Sequence, residues 1–307
     1  MTAAPARTAA ARAGAPPAAA PRRRRRPILA LRVDIPRWLY LLTAAASFAA
    51  IIGLWCVLSY GGFAKPVFLP TPTAVIQKAG KLLTDTATVD FELFGHELWR
   101  LTSSVLVGDL WISNARILLG FLLATVVAVP LGMLAGNFRL FEAALEPVVG
   151  FLRYMPVPAF IPLLMLYAGI GEEPKILVIF IGTVVQEVVM VADVTKQVKG
   201  EMINAARVLG ASPPQVFMKV IWPASLPGVV DVARLNLGFA WTYLVVAELV
   251  AANEGLGFRV LKSQRFLQTD TIFLYLFLIG LLGVITDTLF KLAHRKLFPW
   301  AQEKLET

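Results

Sequence analysis

Six long apolar segments constrain the fold of this chain more than any other feature. A helix needs roughly 20 residues to cross the ~30 Å hydrocarbon core of a bilayer. The segments reach about that length, and charged residues make up only 16% of the chain, against about 25% in soluble domains. The sequence therefore predicts an all-α polytopic membrane protein. Its spans lie near residues 39–60, 115–136, 148–170, 176–193, 228–251 and 272–290.

The net charge of +9 is concentrated in the first 37 residues, which contain nine arginines and one aspartate. This stretch consists mostly of Ala, Pro and Arg and cannot bury a core, so we expect residues 1–37 to form a disordered tail. Its charge suits contact with anionic lipid headgroups. Because the other 270 residues are nearly neutral, the charge gives no reason to expect nucleic-acid binding.

Basic residues predict the orientation, because cytoplasmic flanks of membrane spans are enriched in Lys and Arg. The arginine-rich tail, the polar segment after the fourth span and the flank carrying Lys291, Arg295 and Lys296 all agree. We therefore expect both termini in the cytoplasm. The basic loop near 253–270 disagrees, but three segments outweigh it.

The segment 61–114 between the first two spans has a nearly neutral charge balance and is expected outside. The stretch "FLPTPTAVIQKAGKLL" predicts a turn stopped by proline and then a helix. Farther on, apolar residues recur at helical spacing and predict a second helix packed along the outer surface, with partner contact as an alternative. These residues are Phe91, Phe94, Leu98, Leu101 and Val105.

The segment "NAARVLGASPPQVFMKVIWP", residues 204–223, is polar and rich in helix formers although apolar spans flank it. Residues 202–209 suit a short helix that stops at Gly210. Ser212 can cap a second helix that has Pro213 at its first position and ends at Pro223. Ala205 and Ala206 give the first helix a small face that another surface can approach closely.

This segment resembles the EAA loop of permease subunits of ABC importers: Glu-Ala-Ala, three residues, Gly, nine residues, Ile-x-Leu-Pro. The spacing is intact here, although Asn204 replaces the acid and Trp222 replaces Leu. Glu201, one turn earlier, is a substitute for the missing acid. The resemblance assigns ATPase coupling to Glu201, Asn204, Ala205, Ala206, Gly210, Val220, Trp222 and Pro223.

Other segments resemble the nitrate, sulfonate and taurine branch of these permeases, in the same order along the chain. They include "FLPTPTAV", "ARILLGFLLATVVAVPLGMLAG" and "VVAELVAANEGLGF". The resemblance covers about residues 66–298. It implies about six transmembrane helices in the MetI-like ABC importer permease arrangement. The expected domains are a permease domain over 38–298, with its coupling loop at 196–226, and a cytoplasmic tail over 299–307.

The resemblance also implies partners and a location. Two ABC ATPase subunits, a second permease copy or a paralogue, and a periplasmic or lipid-anchored binding protein would assemble on the bacterial inner membrane. The chain has no G-x-x-x-x-G-K-[ST] phosphate loop, so ATP and magnesium are expected on the ATPase partner and no cofactor on this chain. The implied substrate is a small anion such as nitrate, a sulfonate, taurine or bicarbonate.

Other functions remain open at this stage: the same role for a vitamin-precursor heterocycle, a stand-alone secondary transporter, or a membrane-embedded enzyme. The third has little support, because Cys56 is the only cysteine and the two histidines lie far apart. A Cys-based metal site or a disulfide framework is excluded.

Charged residues inside the spans are candidates for pairing or for a transport path. From their similar depth we predict an ion pair between Glu187 and Arg234, with Asp231 as a competing partner for Arg234. Arg153, Arg116 and Arg234 are candidate cations near a path, with interface snorkelling as the alternative. Interface solvation is the expected role of Glu248. Possible cavity-lining aromatic residues are Tyr154, Trp241 and Tyr243.

Overall fold

A computed structural model describes residues 36–304 of the chain. The predicted disordered tail therefore lies almost entirely outside the described residues. The described residues divide into two compact units, 36–54 and 55–304. Within 36–304 the structure contains eleven α-helices and one β-hairpin. The helices are α1 Arg37–Tyr60, α2 Pro72–Thr84, α3 Val105–Asn137, α4 Arg139–Leu152, α5 Ile161–Ala168, α6 Glu173–Lys196, α7 Gly200–Val208, α8 Pro213–Val216, α9 Trp222–Ala251, α10 Leu256–Arg265 and α11 Thr269–Leu297.

Five helical segments are long and apolar enough to cross a membrane, which confirms five of the predicted spans. They are Arg37–Tyr60, Val105–Asn137, Glu173–Lys196, Pro213–Val250 and Thr269–Leu297. The third predicted span, 148–170, is wrong as a single straight helix. The chain instead forms two helical pieces, Arg139–Leu152 and Val157–Ala168, bent by 87°. Pro156 stands at the break, and the residue before a proline is disfavoured in helical conformation.

The helix predicted after α2 is also wrong, because residues 86–104 form a β-hairpin. Its antiparallel strands are β1 Thr86–Leu93 and β2 His96–Ser104. Val89 and Phe91 are buried together, an alternation that fits the two-residue period of a strand. The preceding prediction of a proline-stopped turn and helix is confirmed by α2, which Thr71 caps.

The core of the second unit lies where α3, α6 and α9 pack together. Small residues bring α3 and α6 close. A Cβ atom on Gly120 would lie 2.8 Å from the Ile176 carbonyl oxygen, and one on Gly132 would lie 2.7 Å from that of Val188. Close backbone approach through small residues is the usual means of helix association in lipid.

Candidate functional site

The segment between α6 and α9 forms the predicted pair of short helices. The first is α7, and Gly210 ends it with φ of +84°, a left-handed conformation that glycine adopts without strain. Ser212 and Gln215 form a capping box at the start of α8. The Gln215 side-chain oxygen accepts the Ser212 N–H at 2.9 Å. The end of α7 and the start of α8 are therefore set by residues close in sequence, as the sequence predicts.

The predicted end of the second helix at Pro223 is wrong. From α8 the chain passes through a π-helical turn, Phe217–Ile221, directly into α9. Pro223 lies in the first turn of α9, directly after the π-helical turn. The second short helix is therefore continuous with the long apolar helix that follows it.

Aromatic packing anchors this π-helical turn to the bundle. The Phe217 ring lies 5.4 Å from that of Phe138 and 6.3 Å from that of Trp222. Val216 and Ile221 are buried on the same segment, and Val220 is half-buried. The segment is therefore held rigidly at its α9 end.

The α7 helix, in contrast, presents an unpartnered surface. Val208 and Leu209 are each 87% exposed, and Ala205 is exposed beside them. The side chains of Glu201 and Asn204 make no hydrogen bond or ion pair with the described residues, and their predicted coupling role stays a prediction. We name the exposed surface of residues 201–210 the α7 face. Exposed apolar residues grouped in this way are typical of an interaction surface.

A buried ionic cluster joins α3, α6 and α9 at the end of the bundle where α6 begins. Arg116, only 1% exposed, forms a two-pronged pair with Glu172, with one of its bonds at 2.8 Å. Its Nη1 atom donates to Glu248 Oε1 at 2.6 Å and to the Glu254 carbonyl oxygen at 2.8 Å. Lys175 Nζ donates to Glu172 at 2.7 Å. Interface snorkelling, the alternative given for Arg116, is wrong, as is the expected interface solvation of Glu248, because both side chains are buried in this cluster.

The electrostatics of this cluster favour the ionised form of Glu172, which lies just before α6. Burial by itself would raise the pKa of Glu172, but the Arg116 guanidinium and the Lys175 ammonium lower it below its ordinary value. Glu248 accepts two further hydrogen bonds, from Ser113 Oγ at 2.7 Å and from the Gly257 N–H at 2.8 Å. The arrangement therefore satisfies its charges internally, as buried ions require.

Asp109 extends the cluster to α10 and α11. It accepts hydrogen bonds from Arg259 Nε at 2.6 Å, the Tyr275 hydroxyl at 2.7 Å and the Gly255 N–H at 2.9 Å. Asp109 of α3 thus holds the turn at 252–256 through the Gly255 N–H and holds α10 through Arg259. This turn begins the basic loop near 253–270, whose charge disagreed with the predicted orientation, and Arg259 of that loop pairs with Asp109.

Glu187 does not pair with Arg234, so that prediction is wrong. Arg234 forms ion pairs with Asp287 at 3.3 Å and, as the alternative prediction held, with Asp231 at 3.7 Å. Glu187 lies in α6 with no exposed surface. Its Oε2 atom accepts from Asn236 Nδ2 at 2.8 Å and from Thr125 Oγ1 at 3.3 Å. Matching depths along two helices did not reveal that the side chains point in different directions.

Arg153 lies at the break after α4 and lines two cavities. One, of about 500 Å³, lies between α4 and the end of α6; the other, of about 290 Å³, lies beside Tyr243. The guanidinium contacts only its neighbour Tyr154, 5.0 Å above the ring centre and 3.2 Å from the hydroxyl. Within residues 36–304 it has no carboxylate partner. Trp241, by contrast, is buried in the core and lines neither cavity.

Sequence reasoning missed the buried ionic cluster although a signal was present. Arg116 opens the second apolar segment, Glu172 precedes the fourth and Glu248 closes the fifth. Alternating span directions place these three positions at one end of the bundle. Opposite charges at the same depth in a membrane protein are expected to pair. The predicted topology was therefore sufficient to predict this cluster.

The sequence profile of the family described as "binding-protein-dependent transport system inner membrane component" matches residues 128–299. The chain is 39% identical over 256 residues to a probable ABC transporter permease protein of Brucella abortus, covering 83% of this chain and 94% of that protein. It is 34% identical over 252 residues to a putative aliphatic sulfonates transport permease of Bacillus subtilis, covering 82% and 85%. It is 31% identical over 255 residues to a taurine transport system permease of Escherichia coli, covering 83% and 88%.

The fold also resembles a solved structure. A chain of the methionine ABC transporter MetNI in an inward-facing conformation superposes with a TM-score of 0.56 at 21% identity. The match covers 62% of this chain and 95% of that one. This likeness confirms the predicted MetI-like arrangement of helices.

Proposed function

Because this chain belongs to the family of binding-protein-dependent transport system inner membrane components and is a permease subunit of an ABC importer, we propose that it carries a small anion. The proposed substrates are of the sulfonate, taurine or nitrate type, for which several of its relatives are named. The observation that supports an anion is Arg153, which lies at a helix break and is the charged residue among the described residues that line the smaller cavity. Broken helices form substrate sites in many transporters.

We place both termini and the α7 face in the cytoplasm. The last turn of α11 carries His294, Arg295 and Lys296, and basic flanks face the cytoplasm. Counting the bent pair of helices as one span gives six spans, so both chain ends share a side. In this orientation the buried ionic cluster lies near the outer surface.

The α7 face is the proposed docking site for an ABC ATPase subunit. Its small Ala205 and exposed apolar Val208 and Leu209 suit insertion into a groove on a partner. ATP and magnesium would be held by that partner. Two ATPase subunits, a second copy of this permease and an external binding protein complete the proposed complex, with the path between the two permease copies.

The proposed coupling depends on the helical continuity between α8 and α9. ATP-driven closure of the ATPase pair would displace α7 and α8. The π-helical turn carries α8 into α9 without a flexible loop, so the displacement reaches the membrane helices as a rigid-body motion. The permease would then alternate between inward-open and outward-open states.

Co-purification with turnover measurement tests the docking proposal. We expect Ala205→Glu to abolish recovery of the ATPase with this chain, because a long charged side chain would enter the docked surface. Ala205→Ser is the matched control and should retain the ATPase. Equal recovery of the ATPase with both variants would contradict docking on the α7 face.

Uptake of labelled taurine, an alkanesulfonate and nitrate into proteoliposomes that contain the whole complex and its binding protein tests the anion proposal. Arg153→Gln should lower uptake by about tenfold or more, equivalent to about 1.4 kcal/mol, while ATPase recovery is unchanged. Arg153→Lys retains the charge and should retain part of the uptake. Unchanged uptake in Arg153→Gln, or transport of a neutral heterocycle alone, would refute it.

A further inference from the structure

The hydrogen bonds around Glu187 leave two acceptor atoms without donors. Glu187 and Asn236 are both fully buried. They contact each other through Glu187 Oε2 and Asn236 Nδ2, 2.8 Å apart. Their remaining oxygens, Glu187 Oε1 and Asn236 Oδ1, have no hydrogen-bond partner among residues 36–304. Buried acceptors in this state are costly, and native structures contain few of them.

The orientation of the Asn236 amide is fixed by its surroundings. Its Nδ2 atom donates to Glu187 Oε2 and also to the Thr183 carbonyl oxygen at 3.2 Å. Both of these partners are acceptors, so rotating the amide would place an oxygen against two oxygens. The unpartnered Oδ1 atom is therefore a real feature of the junction.

No cation compensates Glu187. Its two donors, Asn236 and Thr125, are neutral. Among residues 36–304, no Lys, Arg or His nitrogen lies within the 4.0 Å ion-pair distance of its carboxylate. The cations on α3, α6 and α9 form ion pairs with other acids. Arg116 and Lys175 belong to the buried ionic cluster. Lys196 pairs with Glu142, and Arg234 pairs with Asp231 and Asp287.

The other acidic groups on or beside these helices likewise have contacts or positions that do not involve Glu187. Asp109 and Glu248 belong to the buried ionic cluster. Glu173 accepts the Phe94 N–H, Glu142 pairs with Lys196, and Asp193 lines the larger cavity. An ionised Glu187 would thus be a buried charge within a membrane span with only neutral partners, which is the most costly arrangement for an acid.

We propose that Glu187 is a proton-binding site: its carboxyl group carries a proton on Oε1 and forms a neutral acid–amide pair with Asn236. This one proton supplies the missing donor, and Asn236 Oδ1 is the acceptor that lacks one. The pair then consists of two antiparallel hydrogen bonds, N–H to Oε2 and O–H to Oδ1. With Thr125, it joins α3, α6 and α9 without introducing a charge.

Infrared spectroscopy of the purified complex in lipid discs at neutral pH tests the protonation directly. The difference spectrum between the wild type and Glu187→Gln should contain the carbonyl stretch of a protonated carboxylic acid, and this band should shift in heavy water. Absence of the band, with carboxylate bands in its place, would overturn the proposal. This outcome would favour a bound cation instead. Because the spectrum depends on neither substrate nor ATPase docking, it separates this proposal from the proposed function.

Function and stability provide the second measurement. Glu187→Gln is neutral and has both a donor and an acceptor, so uptake should stay within about twofold of wild type. A loss of tenfold or more with an intact complex would show that the negative charge is needed, and would contradict the proposal.

A double-mutant cycle tests the pairing itself. Glu187→Leu and Asn236→Leu should each lower the unfolding midpoint by several degrees, and the double variant should lose little more than either single variant. Additive losses would show that the two side chains act independently. Gly280→Ala in α11, where a Cβ atom meets nothing within 4 Å, is the control that should not lower the midpoint, because alanine favours a helix over glycine.

Discussion

Replacing Arg116 by Met should destabilise the protein more than almost any other single substitution. The guanidinium donates to Glu172, Glu248 and the Glu254 carbonyl oxygen, and Glu248 has no exposed surface. Removing it leaves Glu248 as a buried carboxylate without a cation, whereas Glu172 keeps Lys175. Breaking a buried pair by removing one partner costs about 3–5 kcal/mol.

This free energy corresponds to a measurable change in thermal stability. At about 2–4 °C per kcal/mol for a chain of this size, the unfolding midpoint in detergent should fall by about 6–20 °C. Fluorescence-detected size exclusion after heating to a series of temperatures measures this midpoint for the purified complex. The Glu142–Lys196 ion pair is more exposed, so Lys196→Met is the matched control and should change the midpoint by only about 1–2 °C.

The mechanism is tested by removing the second charge. In Arg116→Met/Glu248→Gln the orphaned carboxylate is gone, and the Gln oxygen can still accept from Ser113 or the Gly257 N–H. We expect the double variant to regain at least half of the lost stability. A double variant no more stable than Arg116→Met, or a wild-type midpoint in Arg116→Met, would refute the claim that the uncompensated charge causes the loss.

Three further predictions follow from local geometry. Gly120→Ala should cost about 1–3 kcal/mol, because its Cβ atom would contact the Ile176 carbonyl oxygen; equal thermal midpoints for Gly120→Ala and Gly280→Ala would contradict this. Glu172→Gln should make the free energy of unfolding less dependent on pH in the acid range. The pKa of Glu172 is lowered in the folded state, so the ionised carboxylate stabilises the fold fully above the ordinary carboxyl pKa of about 4.3. This stabilisation is lost as the pH falls through the lower pKa of the folded state. Ser212→Ala should cost about 1 kcal/mol of local helix stability, seen as faster hydrogen exchange in α8; unchanged exchange would show that the cap is dispensable.

Most of the spans, and the short helices α7 and α8, could be predicted because their signals are local. Apolar length identifies a membrane helix, and the Gly210 stop and the Ser212 cap depend on residues within one turn. The hairpin at 86–104 was missed because two periods fit the same residues. Phe91, Phe94, Leu98 and Leu101 recur at helical spacing, but Val89 and Phe91 alternate as in a strand.

The polar contacts of the bundle could be predicted only in part, because they depend on rotation about each helix axis. Glu187 and Arg234 have similar depths, but Arg234 points toward Asp287 on α11 and Glu187 toward Asn236 on α9. The search for opposite charges also excluded the neutral Asn236 from the outset. By contrast, the Arg116–Glu248 pair joins residues that the predicted topology already placed at one end of the bundle.

The polar contacts also determine which parts of the permease can move against each other. The buried ionic cluster fixes α3, α6 and α9 at one end, and the Glu187–Asn236 contact joins α6 to α9 in the middle. The segment from α7 to the π-helical turn connects the same two helices at the other end. Held at three levels, α6 and α9 would respond as one body to the proposed displacement of the α7 face. The 87° bend between α4 and α5 is where the chain departs from straight helices, and Arg153 stands there. Motion of the α6–α9 body relative to this bend would therefore change the cavities that Arg153 lines, which connects ATPase docking to the proposed anion site without any conformational change inside the α3–α6–α9 core.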